Sequence, residues 1–319
     1  MHSRTTIALA LAALSLLAAS CGSDSSSGSD DDDSADIVDA YGVFQVSLVA
    51  PQGTTPGFTS VLGRLQDGPT PSTVVWEEAA ASGNCRLLTP RIPFCDPSCG
   101  SSSVCVDDVQ CEPYPTAVAA GAVRVEGLHT QDGDTAFSME PIAGSYQPPG
   151  GASLAYPPCP EGNAITFTAA GTASVPGFSV TAVGIAPLEV LNETVELAGE
   201  PVLLRWTPPG AAGESTISVS FDVSYHGGSK GKVVCECSDA GALEVPASLL
   251  DQLQALGTAG FPKVEIARRT SGTTDPPAQV DLVIESMVTR FLDIPGLVSC
   301  NEDGDCPQGQ VCGGDFTCQ

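Results

Sequence analysis

Four cysteines close the chain at six-residue steps: Cys300, Cys306, Cys312 and Cys318. A second set stands at Cys95, Cys99, Cys105 and Cys111. Closely spaced cysteines serve three chemistries: metal ligation, dithiol exchange and cross-linking. Structural zinc sites usually place ligands two to four residues apart, so that one knuckle offers two thiolates. Five intervening residues, the spacing at every step except Cys95 to Cys99, do not form that knuckle, and no Cys-x-x-Cys occurs. Both segments are poor in apolar residues, so cross-links must substitute for a core. Disulfide staples are therefore expected. CGSSSVCVDDVQC (99–111) also lies over CPQGQVCGGDFTC (306–318), with Val104 and Asp108 matching Val311 and Asp315. The chain carries one small module twice.

Other reactive constellations are weaker. Gly227-Gly228-Ser229-Lys230-Gly231 has the spacing of a nucleophile elbow, but that motif needs a strand-to-helix turn. Here it joins two strand-like runs, where glycine and serine are ordinary turn residues. His2 falls in the leader, His129 in a loop, and His226 is too near Ser229 in a tight turn to complete a triad. No His-Glu-x-x-His, P-loop or dinucleotide fingerprint occurs. No catalytic residue and no cofactor is expected. Calcium is the one metal with a candidate: Asn301, Asp303 and Asp305 place oxygens at alternate positions, as Asp132 and Asp134 do. Neither set extends to a full twelve-residue loop. Trp76 and Trp206 sit beside alternating apolar residues, which points to core rather than to sugar stacking.

The chain of 319 residues has a net charge of −26 and a pI near 4.1. Phosphate backbones bind through Lys and Arg, so nucleic acid is excluded as a partner. Met1 to Ser20 reads as an export signal: a basic Arg4, an apolar run from Ile7 to Ala19, then a small residue. The run is too short for a membrane span, which needs ~20 apolar residues. Residues 21–36 form an acidic Gly/Ser stretch, which reads as an extended flexible tether.

Elements of the body must position the modules. GVFQVSLVAP (42–51), SVLGRLQ (60–66), STVVWEE (72–78), AVRVEGL (122–128), TAFSMEPI (135–142), AITFTAAG (164–171) and GFSVTAVGI (177–185) are short β runs between turns. VELAGEPVLLRWTPPG (195–210), STISVSFDVSYH (215–226), KVVCEC (232–237), KVEIARR (263–269) and AQVDLVIESMVTRFLDI (278–294) continue the pattern. PASLLDQLQALG (246–257) is the one helix, with Leu249, Leu250, Leu253 and Leu256 in a stripe and Gly257 at its end. Regularly spaced short strands predict a mainly all-β fold of two sandwich-like domains. The division expected is a first β domain over 37–190 with a Cys-rich module at 85–115, a second over 191–295, and a module over 296–319.

Leu17-Ala-Ala-Ser-Cys21 resembles the lipobox of bacterial lipoproteins, which implies that Cys21 is acylated as the mature N-terminus. Gly22 after it resembles lipoproteins sent to the outer membrane. With Cys21 so used, twelve cysteines remain, an even set. The expected disulfide cysteines are the eight of the modules together with Cys85, Cys159, Cys235 and Cys237. Pairing within the modules stays open among three arrangements. The modules resemble Dickkopf N-terminal or EB-type repeats and the Cys-rich tails of myxobacterial surface lipoproteins. Residues 191–295, through the strand ending at Trp206 and the Cys237–Gly241 turn, resemble an immunoglobulin- or fibronectin-III-like domain. These resemblances imply a non-catalytic protein of the outer membrane or cell surface. Its expected partners are the membrane, through the lipid, and a protein or glycan ligand. An envelope hydrolase and a calcium-dependent adhesin are the alternatives.

Overall fold

The computed structural model describes residues 38–51, 53–150, 152–210 and 214–319. The export signal, Cys21 and the acidic tether lie outside the described residues.

Among the described residues the first strands are β1 (Ala40–Val49) and β2 (Phe58–Gln66), which pair antiparallel. β3 (Val75–Ser82) and β4 (Cys85–Arg91) form the next hairpin, and β5 (Ser103–Asp107) with β6 (Gln110–Pro113) forms the first module. β7 (Val123–Glu126), β8 (Ala136–Met139), β9 (Ser145–Tyr146), β10 (Ala164–Gly171) and β11 (Pro176–Val183) follow. The run expected as one strand over 195–210 is broken into β12 (Val195–Glu196) and β13 (Val202–Arg205). Gly199, at φ 84°, turns the chain between them, a conformation L side chains avoid. β14 (Thr216–Asp222), β15 (Lys232–Ser238) and β16 (Ala242–Val245) precede α1 (Ala247–Ala255). Leu249, Leu250 and Leu253 of α1 are buried, whereas Leu256 lies past the helix and is exposed. β17 (Lys263–Thr273) and β18 (Ala278–Asp293) complete the body.

The fold is mainly β. One long sheet runs β3-β4-β15-β14-β17-β18-β1-β2-β9. Its inner face carries two cores. The first lies between β1, β2 and the start of β18 on one side and the sheet β11-β10-β7-β8 on the other. Phe44 is its hub, with ring centroids 5.4–5.6 Å from Phe167, Tyr146 and Phe178. The tilted and edge-on ring geometries favour such clusters. The second core packs β4, β14, β15 and the start of β17 under the β13–β16 pair and α1.

Residue 190, the expected boundary, falls within this shared framework. β1 lies before it and β18 after it, yet they pair in parallel over ten residues. β3 and β4 also precede it, yet they extend the second half of the sheet through β15.

Between the cores, β17 changes character. Val264 and Ile266 point into the second core, and Gly272 meets the first. A Cβ on Gly272 would come within 1.9 Å of the Thr181 carbonyl, so only glycine lets β11 approach β17 so closely. Arg268 shares that face and is buried. Its guanidinium donates to both carboxylate oxygens of Asp239 and to the carbonyls of Ala186, Pro187 and Thr207. All five N–H groups of the side chain are thereby used. Asp239 also accepts from Trp206 Nε1 at 2.6 Å and from Ser215 Oγ at 2.7 Å. A buried charge is tolerable only when paired and hydrogen-bonded, and this one is.

Candidate functional site

In the first module Cys95 bonds Cys105 and Cys99 bonds Cys111. In the second, Cys300 bonds Cys312 and Cys306 bonds Cys318. Both use the same order, first to third and second to fourth. In each, the third and fourth cysteines stand opposite one another across a small hairpin, Cys105 with Cys111 and Cys312 with Cys318. The turn also repeats. Val109 and Phe316, each two residues before the last cysteine, both have φ 61°. A β-branched valine rarely adopts this left-handed conformation.

Sulfurs of Cys95, Cys99 and Cys111, and of Cys300, Cys306 and Cys318, gather within 4.8 Å of one another. A metal would need them as thiolates. In the cystine form they offer none.

The first module is mounted on β4 through Arg91. Its guanidinium meets Glu77 at 2.6 Å, Asp107 at 2.8 Å and Asp108 at 3.2 Å. The Arg91 hydrogen bond, with one from the Asp108 N–H, holds the Asp107 carboxyl below the usual aspartate range. These pairs are solvent-exposed, so they orient the module more than they stabilise it. The expected module boundary at 85 moves: Cys85 belongs to the sheet, opposite Cys235, to which it is bonded with a Cα separation of 4.1 Å.

The second module docks on the body by its turn. The Gly260 N–H donates to the Asp315 carbonyl at 2.7 Å. A Cβ at Gly260 would meet the Phe316 carbonyl at 2.2 Å, so the contact requires glycine. The Phe316 ring packs 5.5 Å from His226, which in turn lies 5.2 Å from Phe261. The calcium candidates have other employment. Asp305 Oδ2 accepts the N–H groups of Asn301 and Glu302, and Asp303 Oδ1 accepts that of Cys312. Acidic residues here cap a short 3-10 turn, Asp303–Asp305.

Two cysteines depart from expectation. Cys159 and Cys237 are unbonded thiols. Cys235 takes Cys85 because the two face each other directly across paired strands. Cys159 belongs to the first core and Cys237 packs against the second, so no short link joins them. Burial pushes both thiols up, and at Cys237 the Asp239 charge adds to it. In both the shift favours the thiol over the reactive thiolate.

The main cleft, about 830 Å³, fills the notch along β18 between the end of β1 and the start of β12. Its charged groups are tied down. Glu285 accepts from Arg269 and Gln45, and Arg290 donates to the carbonyls of Asn192 and Thr289. Both described histidines lie elsewhere: His226 in the aromatic cluster, His129 in the 127–130 loop. Ser229 Oγ donates to the Gly231 carbonyl in a turn between β14 and β15, with no helix behind it. Trp206 is core, as its alternation predicts, while Trp76 is half-buried with Lys232 Nζ 4.0 Å from its ring centroid. The Arg268–Asp239 pair was not anticipated. Its signal was available: Arg268 is in phase with Val264 and Ile266 on one strand face.

No protein-family model matches the chain, and no curated protein does. Among solved structures, it is similar to a two-domain fibronectin type-III segment of chicken tenascin. The match covers 69% of this chain and 97% of that one, with 13% identity and a TM-score of 0.19. That score is too low to carry an argument, and the all-β class rests on the sheets described above. Five disulfides mark an exported protein, because cystines persist in oxidising compartments. Among the described residues no helix is long and apolar enough to cross a membrane.

Proposed function

We propose that this is a non-catalytic binding and display protein of the bacterial envelope, tethered to the outer membrane or cell surface by a lipid on Cys21. The observation that carries the reading is the shared sheet. Two cores built on one sheet and locked by a buried ion pair make a stiff support. Two stapled modules are mounted on that support, one by Arg91 and one by Phe316. A protein or glycan ligand is the partner class that such a support suits, and the net charge of −26 disfavours nucleic acid.

Intact mass of the protein extracted from its native envelope tests the anchor. An acyl adduct on an N-terminal Cys21 is expected, and a mature N-terminus without lipid would overturn it. Ester, glycoside and peptide hydrolysis assays on the purified protein test the rest. Turnover above a heat-inactivated control would replace the display reading by an enzymatic one.

A further inference from the structure

The two modules are copies, yet their turns meet different surroundings. Phe316 is packed on the body, while its counterpart Val109 is 77% exposed. Val109 is not alone. Ile92 is 78% and Phe94 71% exposed, and with Val109 they are the three most exposed large apolar side chains among the described residues. They form one patch. Exposure alternates at Ile92, Pro93 and Phe94, which puts Ile92 and Phe94 on one side of an extended segment. The Val109 N–H donates to the Phe94 carbonyl at 3.1 Å, which brings Val109 beside them. The backbone differs in the same way. The Asp315 carbonyl accepts the Gly260 N–H, whereas the corresponding Asp108 carbonyl accepts no hydrogen bond among the described residues.

Charge borders the patch. Glu77, Asp107 and Asp108 share the single cation Arg91, which leaves two negative charges uncompensated, and Asp96 adds another beside Cys95. A second copy of so acidic a chain would be repelled. A basic protein surface would be attracted.

We infer that the turn of the first module, Ile92, Phe94 and Val109, is a docking site for a basic protein. That protein presents a glycine-floored apolar hollow, as the Gly260 loop does to the second module within the chain. Its loop N–H reaches the Asp108 carbonyl, its hollow takes Val109 and Phe94, and its Lys or Arg side chains face Asp107 and Asp108. The inference rests on the display reading and supplies its surface.

The test uses the full mature protein and a fluorescent cyclic peptide holding Thr-Ala-Gly-Phe-Pro-Lys, the 258–263 loop, flanked by four arginines. Binding is read by anisotropy. Val109→Asn suits φ 61°, so its melting temperature should hold or rise while peptide affinity falls at least tenfold. Phe94→Ser should weaken binding as much, and Val311→Ser, exposed on the other module, should leave it unchanged. Raising salt from 50 to 500 mM should weaken binding several-fold. No binding of the peptide, or equal binding to Val109→Asn, overturns the inference. Binding of neutral phosphatidylcholine vesicles lost in Phe94→Ser would assign the patch to membrane instead. Turn-dependent self-association in sedimentation would assign it to a second copy. These outcomes are separate from lipid mass and hydrolysis, so failure of the docking site is distinguishable from failure of the display reading.

Discussion

Arg268 Nε lies 2.5 Å from Asp239 Oδ2, with both side chains essentially out of solvent, where the two cores adjoin. The pair joins the strand that serves both cores to the turn that caps Trp206. Removing one partner strands a buried charge, which costs about 3–5 kcal/mol. Arg268→Met should therefore lower unfolding free energy by that amount in urea titrations. Arg91→Met, at an exposed cluster, should cost under about 1 kcal/mol. Equal effects would mean that the buried pair contributes no more than a surface one.

Cysteine counting by mass gives a second check. Under native conditions neither Cys159 nor Cys237 should be alkylated rapidly at pH 7. Denaturation without reductant should expose two thiols, and reduction ten more. A count of twelve thiols appearing only on reduction would show that Cys159 and Cys237 are bonded after all.

The cystines differ in reach. Cys85–Cys235 closes a separation of 150 residues, and chain-entropy reasoning assigns it roughly 5 kcal/mol. Each module bond closes 10 or 12 residues, worth about 3 kcal/mol and confined to its module. The double variant Cys85→Ala/Cys235→Ala should lower the main calorimetric transition. Cys99→Ala/Cys111→Ala should leave it in place while the 95–111 segment becomes open to protease.

Gly260→Ala should loosen the second module, since the added methyl meets the Phe316 carbonyl. A loss of about 1–3 kcal/mol is expected from such overpacking. Protease cleavage within 296–319 at unchanged sheet content, by circular dichroism, is the readout.

Acid should weaken the Arg91 mounting of the first module. Asp107 is held below its ordinary value of 3.8 by Arg91, so its pairing is at full strength above that value. The contribution fades as pH falls below 3.8 through the lower folded value. Asp315 behaves likewise, through the Thr317 hydroxyl. An NMR titration of the Asp107 carboxyl carbon should show a midpoint below 3.8 that returns toward it in Arg91→Met. An unchanged midpoint would remove Arg91 as the cause.

Periodicity made the body strands and the helix legible, because alternation of Val, Ile and Phe with polar residues reports a half-buried sheet locally. β4, β9 and β16 are not legible in the sequence: Cys85–Arg91 runs straight on towards the first module, and Ser145–Tyr146 and Ala242–Val245 are only two and four residues long. Cysteine spacing was enough to mark the modules and their likeness. It was silent on pairing, which depends on which strands face each other.

By itself the chain determined its class, its cross-linked character and the positions of its modules. Those properties follow from composition and from short-range spacing. The tertiary structure alone decided that β1 pairs with β18, more than 200 residues away, and that one sheet serves two cores. It also decided that Cys159 and Cys237 stay unbonded, and that the turn of one module is docked while the turn of the other is bare. Each of these is a long-range pairing, set by which buried faces complement one another in space, and no local pattern records it.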